Sequence, residues 1–265
     1  MIILDGYKLE YFGLVCESQT NPLTPSFENK TLLIPGQAGL YNFGTEIREK
    51  HFEFHIGAID KDKTLLQHKL REFVSFLLNE YGKPREIKLY YEYEPDIYYK
   101  VYLYTQINPE RVLRTGKLTL DLVAYDPYAY SIVYSDEILW GSEVVTFQSH
   151  YKLGHPGSDG LKTITAPATI NIYNDGLANK PVIEVTGSAT NLVISTNGYS
   201  INLGTFTNAE WLIDCDKYLV LKNGANAFGS VMLREFMLLQ GNNQVNISGS
   251  NINIDVRIKH RDKYI

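Results

Sequence analysis

Between residues 46 and 59, Phe52, Phe54, Ile56 and Ala58 alternate with His51, Glu53 and His55. A repeat of two predicts one long strand with an apolar and a polar face. The repeat then changes. Leu66, Leu70, Phe73, Leu77 and Tyr81 follow at spacings of four, three, four and four, which predicts an amphipathic helix over 62–81. Asp62 supplies its N-cap, and Gly82 with Pro84 its stop. Upstream, short alternating runs at 2–5, 11–17 and 28–34 predict strands, separated by a turn at Gly6 and a loop containing Pro22 and Pro25. Downstream, 85–93, 98–106 and 117–124 predict three more, carrying Tyr90, Tyr91, Tyr93, Tyr98, Tyr99, Tyr102 and Tyr104.

Beyond Asp126-Pro127 the pattern weakens, and Gly154-His155-Pro156-Gly157-Ser158-Asp159-Gly160 is too dense in turn formers for an element interior. The stretch 134–168 reads as a connector or excursion loop. From 169 onward, nine short strands are predicted, at 169–173, 182–186, 191–195, 199–203, 210–214, 218–222, 235–239, 244–248 and 251–259. Asn174-Asp175-Gly176, Asn197-Gly198 and Asn223-Gly224 supply turns between some of them. Asn occurs fourteen times from Asn171 onward but five times before it, which marks a second domain. The fold class is mainly β. An N-terminal β-rich domain with one amphipathic helix spans 1–133, and a C-terminal β-sandwich of jelly-roll or galectin-like type spans 169–265.

With 44% hydrophobic and 21% charged residues over 265 positions, the chain has the composition of folded domains. Its net charge of −5 argues against a nucleic-acid partner, because phosphate binding needs a basic surface. The first residues lack a signal peptide's basic and apolar regions, and no apolar run reaches the roughly 20 residues of a membrane helix. Neither export nor membrane association is expected. Cys16 and Cys215 lie far apart and read as free core thiols.

Candidate chemistry is sparse. His51, Glu53 and His55 share a strand face, but further metal ligands are missing, so a solvated or interface face is the favoured reading and no metal is expected. Gly36-Gln37-Ala38-Gly39 lacks the Lys-Ser/Thr ending of a phosphate cradle, and no nucleophile elbow occurs. No catalytic or cofactor-binding residue is assigned. Trp140 and Trp211 are candidates for stacking on sugar rings, with core packing the stronger reading for Trp211, which alternates with Ile213.

The order of features carries a resemblance. The loop Ile34-Pro35-Gly36-Gln37-Ala38-Gly39, the single helix at 62–81, and the strand end Leu122-Val123-Ala124-Tyr125-Asp126-Pro127-Tyr128-Ala129-Tyr130 resemble the distal tail proteins of siphophages. The back half adds Ile172-Tyr173-Asn174-Asp175-Gly176, Leu212-Ile213-Asp214 with Leu219-Val220, and Leu238-Leu239-Gln240-Gly241-Asn242-Asn243. Family members often carry a basic residue where this chain has Gln37. The resemblance implies a non-enzymatic virion component assembled in the host cytoplasm. N-terminal domains would form a hexameric ring at the tail tip or baseplate, joining the tail tube protein to a tail-associated hub or lysin protein and to receptor-binding or side-fibre proteins. Candidate contacts between copies are Pro35, Gly36, Gln37, Phe52, Phe54, Tyr91 and Tyr93. Two other functions compete: an adhesin reading cell-wall glycan through the sandwich, and a glycoside hydrolase for which no acid and nucleophile pair can be named.

Overall fold

The computed structural model describes residues 1–59, 62–112, 115–137, 160–231 and 233–265. The chain divides into two compact units, Met1–Ala129 with Ile265, and Tyr130–Tyr264. In chain order the strands of the first are β1 (Ile2–Leu4), β2 (Tyr7–Lys8), β3 (Leu14–Thr20), β4 (Phe27–Leu32), β5 (Tyr41–Ile47), β6 (Lys50–Ile59), β7 (Ile87–Tyr91), β8 (Glu94–Leu103), β9 (Glu110–Val112) and β10 (Thr115–Ala124), with helix α1 (Lys63–Leu77) between β6 and β7. Strands run in the antiparallel order β2-β1-β7-β8-β10-β6-β3, while β4 and β5 pair only with each other.

The alternation over 46–59 resolves into two strands rather than one. Arg48 and Glu49 part β5 from β6, and the Arg48 N–H turns to donate to the Ser26 carbonyl at 2.8 Å. Along β6 the predicted faces hold: Phe52, Phe54 and Ile56 are buried and His51, Glu53 and His55 exposed. Helix α1 presents Leu66, Leu70, Phe73 and Leu77 to this core, and the Asp62 carboxylate caps it by accepting from the Thr64 N–H at 2.8 Å. It ends at Leu77, one turn before the predicted Tyr81, which is 78% exposed.

The second unit is built on three long strands among β11 (Ala129–Ser131), β12 (Lys162–Ile164), β13 (Ala168–Asn174), β14 (Val182–Thr196), β15 (Tyr199–Asp214), β16 (Leu219–Lys222), β17 (Ala225–Asn226), β18 (Gly241–Lys259) and β19 (Lys263–Tyr264). Strand β14 lies between β15 and β18 for its whole length. Six of the nine predicted short strands are therefore halves of β14, β15 and β18, joined through bulges. Asn191, Asn208 and Asn251 sit at those breaks with φ near +50°, a region Asn tolerates better than other side chains. The bends wrap both halves around one core that includes Ile183, Val185, Leu192, Ile194, Trp211, Val245 and Ile254.

Two glycines permit the close approach. A methyl group on Gly187, φ +134°, would overlap the Asn253 carbonyl oxygen, and one on Gly176 would overlap the Lys263 backbone. The predicted strand at 235–239 is instead irregular backbone tied down by buried amides. Asn243 donates to the Leu239 and Gly241 carbonyls at 2.8 and 3.0 Å and accepts from the Leu239 N–H at 2.8 Å. Asn174 bridges the Leu177 and Leu238 carbonyls, and Asn179 donates to the Arg261 carbonyl. The connector predicted over 134–168 falls largely on 138–159, outside the described residues, whereas β12 pairs with β18 through Lys162↔Val256.

Candidate assembly surface

Strands β4 and β5 form an arm. Of their thirteen residues every one is exposed except Glu46, which is half-buried. The arm's register is Phe27↔Ile47, Glu28↔Glu46 and Asn29↔Thr45, then Thr31↔Asn42 and Leu32↔Tyr41 past a bulge at Gly44. One face of its base carries an ion network in which Lys30 pairs with Glu46, and Arg48 with Glu28 and Glu46. Being exposed, these pairs contribute little to stability. Farther out the composition becomes apolar: Leu32, Leu33, Ile34, Leu40, Tyr41 and Phe43 are all exposed, Leu33 at 65% and Phe43 at 69%.

The tip is a defined turn. The Gln37 N–H donates to the Ile34 carbonyl at 3.1 Å with Pro35 and Gly36 between them and Gly36 at φ +87°, the requirements of a type II turn. Gln37 Nε2 donates to the Tyr41 hydroxyl at 2.9 Å. Pro35, Gly36 and Gln37 thus stand at the outer end of the arm, open to a neighbour.

Phe52, Phe54 and Tyr91 do not. At 1%, 0% and 1% exposed they are spent inside the unit, and as contact residues they are corrected: the apolar face of β6 is needed for the monomer's own core. Tyr93 is 59% exposed, stacks on Tyr91 and accepts a hydrogen bond from Asn21 at 2.9 Å. Trp211 is 2% exposed and lies edge-on to Phe206, so it packs the second core and offers no platform to a sugar. Trp140 lies outside the described residues.

The polar face of β6 looks outward. His51 Nε2 lies 3.7 Å from Glu49, and His55 Nε2 lies 3.5 Å from Glu53. Cross-strand partners are Thr119 for His55 and Asp121 for Glu53. Among the described residues no three His, Cys, Asp or Glu side chains converge as metal ligands. Where the arm joins the body, a groove of about 440 Å³ opens between the 20–26 segment and the start of β6, lined by Pro22, Tyr104, Glu49, His51, Glu53 and Asp121 among others.

Beside that groove Lys50 is buried, its Nζ 4.6 Å from the Tyr99 ring centre and 3.1 Å from the Tyr99 hydroxyl. Burial lowers the Lys50 pKa and raises those of Tyr91 and Tyr99, the latter to about 12. The ring face and hydroxyl replace part of the ammonium's lost hydration. The arm and the buried lysine both escaped sequence reading. The run from Leu32 to Phe43, apolar on both sides of a Pro-Gly turn, was the available signal.

Residues 7–124 match the model of the phage tail protein RIFT-related domain. A comparison with curated protein sequences finds no match. Among solved structures, the Dit protein of phage SPP1, described as a paradigm of the hub adsorption apparatus in phages infecting Gram-positive bacteria, aligns with a TM-score of 0.72 at 12% identity, covering 100% of this chain and 98% of its own. A chain of the phage P2 baseplate in its activated conformation with Ca aligns at 0.47 and 13% identity, covering 96% and 92%. No helix among the described residues is long and apolar enough to cross a membrane. Residues 7–124 of the first unit thus match the phage tail RIFT-related domain, and the whole chain has the fold of the SPP1 Dit protein.

Proposed function

We propose that the chain forms a hexameric ring at the end of the tail tube, a hub on which the adsorption apparatus is mounted, and that it works without making or breaking a covalent bond. The observation that carries this reading is the arm. An isolated two-stranded hairpin is marginal in water, and this one leaves large apolar side chains uncovered, so it is built to be completed by another chain. The whole-chain likeness to the SPP1 hub protein supports the same role. The tail tube protein, a tail-associated hub or lysin protein and receptor-binding or side-fibre proteins are the partners this role implies, in a virion assembled in the host cytoplasm.

The glycan-reading alternative is not favoured. Trp211 is in the core, and five of the fourteen Asn from Asn171 onward, Asn191, Asn197, Asn208, Asn223 and Asn251, occupy positive φ at turns and bulges. Light scattering on the purified full chain tests the proposal. A species of six times the 30.2 kDa chain mass is expected, and a monomer at high concentration overturns it.

A further inference from the structure

We infer that the arm of one copy ends in the groove at the arm root of the next, with the uncharged tip 33–40 seated against Pro22 and Tyr104. This rests on the ring proposed above and specifies its joint. Three observations lead there. The tip, Leu33-Ile34-Pro35-Gly36-Gln37-Ala38-Gly39-Leu40, has no charged residue in a chain of which 21% is charged, and Leu33, Ile34 and Leu40 are exposed. The groove offers mostly apolar surface, with the carboxylates Glu49, Glu53 and Asp121 also lining it. Depletion of charge at the centre with polar groups at the rim is the anatomy of an interface core.

The third observation is that the two halves cannot meet within one chain. The groove lies at residues 20–26 and 49–53, where the arm begins and ends, whereas the tip stands beyond six residues of strand, roughly 20 Å away at 3.3 Å per residue. Pairing in the register Phe27↔Ile47 to Leu32↔Tyr41 prevents the arm from doubling back. A second copy supplies the groove for the tip, and a third the tip for the groove. Such a contact joins two different patches, so a head-to-tail succession of copies closes as a ring, whereas reciprocal exchange between two copies would stop at a dimer. A symmetric pairing of arm against arm would cover the tips and leave both grooves empty.

Disulfide trapping in the full chain decides the matter. In a Cys16→Ser background, with Cys215 buried, one preparation carries Ile34→Cys and another Thr24→Cys, both at exposed positions. Mixed and oxidised, they are expected to give a cross-linked pair containing one chain of each kind, and a chain carrying both substitutions a ladder of multimers on a non-reducing gel. The paired substitutions Leu33→Asp and Ile34→Asp are expected to abolish assembly in light scattering while leaving the melting temperature unchanged. Assembly in light scattering without the mixed cross-link, or with cross-links between Ile34→Cys chains alone, overturns the tip-in-groove joint and leaves the ring standing. A monomer before any substitution overturns both.

Discussion

The arm and the bent sheet of the second unit answer the same problem, how to satisfy a sheet's backbone and apolar side chains, in opposite ways. The bent sheet is finished. Its long strands fold over their own core, and Asn174, Asn179 and Asn243 hold irregular backbone that lacks ladder partners. The arm pairs its two strands and stops, leaving side chains such as Leu33 and Phe43 in water. On the proposed ring, stability and assembly are separated along the chain, and substitutions in one region are expected to leave the other's readout alone.

The sharpest break in that comparison comes at the bend. Gly187→Val places a branched side chain against the Asn253 carbonyl at a positive φ, and a loss of about 3 kcal/mol or more is expected in thermal or urea unfolding of the second unit. Removing an amide has a smaller effect. Asn243→Ala strips partners from the Leu239 N–H and from the Leu239 and Gly241 carbonyls, for a loss of about 2–3 kcal/mol in the same experiment, with assembly of the folded fraction unaltered.

The smallest effect concerns Lys50, in the body of the arm-bearing unit. Its folded pKa lies below the ordinary 10.5, so between those values the unfolded chain binds more protons and stability rises with pH. Below that window the cost of the buried ammonium is present in full. Lys50→Met is expected to be neutral or stabilising at pH 7, with its advantage over the unsubstituted chain shrinking as pH climbs toward 10.5. Tyr91 and Tyr99, raised above the ordinary 10.0, work against stability only at higher pH and are common to both proteins. Unfolding curves of the pair across pH 7 to about 10.5 check the sign.

What was legible in the amino acids follows the range of the interactions involved. The α1 seam at Leu66, Leu70, Phe73 and Leu77, and its Asp62 cap, are local, and local periodicity reveals them. The three long strands were read as six short ones because a left-handed Asn at a bulge and one in a hairpin turn look alike in sequence; only the pairing register tells Asn191 from Asn197. The assembly site was half visible. Pro35-Gly36-Gln37 stands out through the resemblance of its loop, but whether Phe52, Phe54, Tyr91 and Trp211 face a neighbour or a core depends on distant strands. The groove joins residues more than 80 positions apart, such as Pro22 and Tyr104, and no short window contains it.

The bent strands also set an order of events. Strand β14 has to find β18 with Ile183 opposite Ile258, a closure across most of the second unit, whereas the arm closes between Leu32 and Tyr41. Short hairpins form in roughly microseconds, and distant pairing delays folding toward milliseconds to seconds. The local pairing of the arm thus forms faster than the long-range register of the second unit. Refolding at low chain concentration, where arms of different copies seldom meet before that register is found, is expected to give the higher yield.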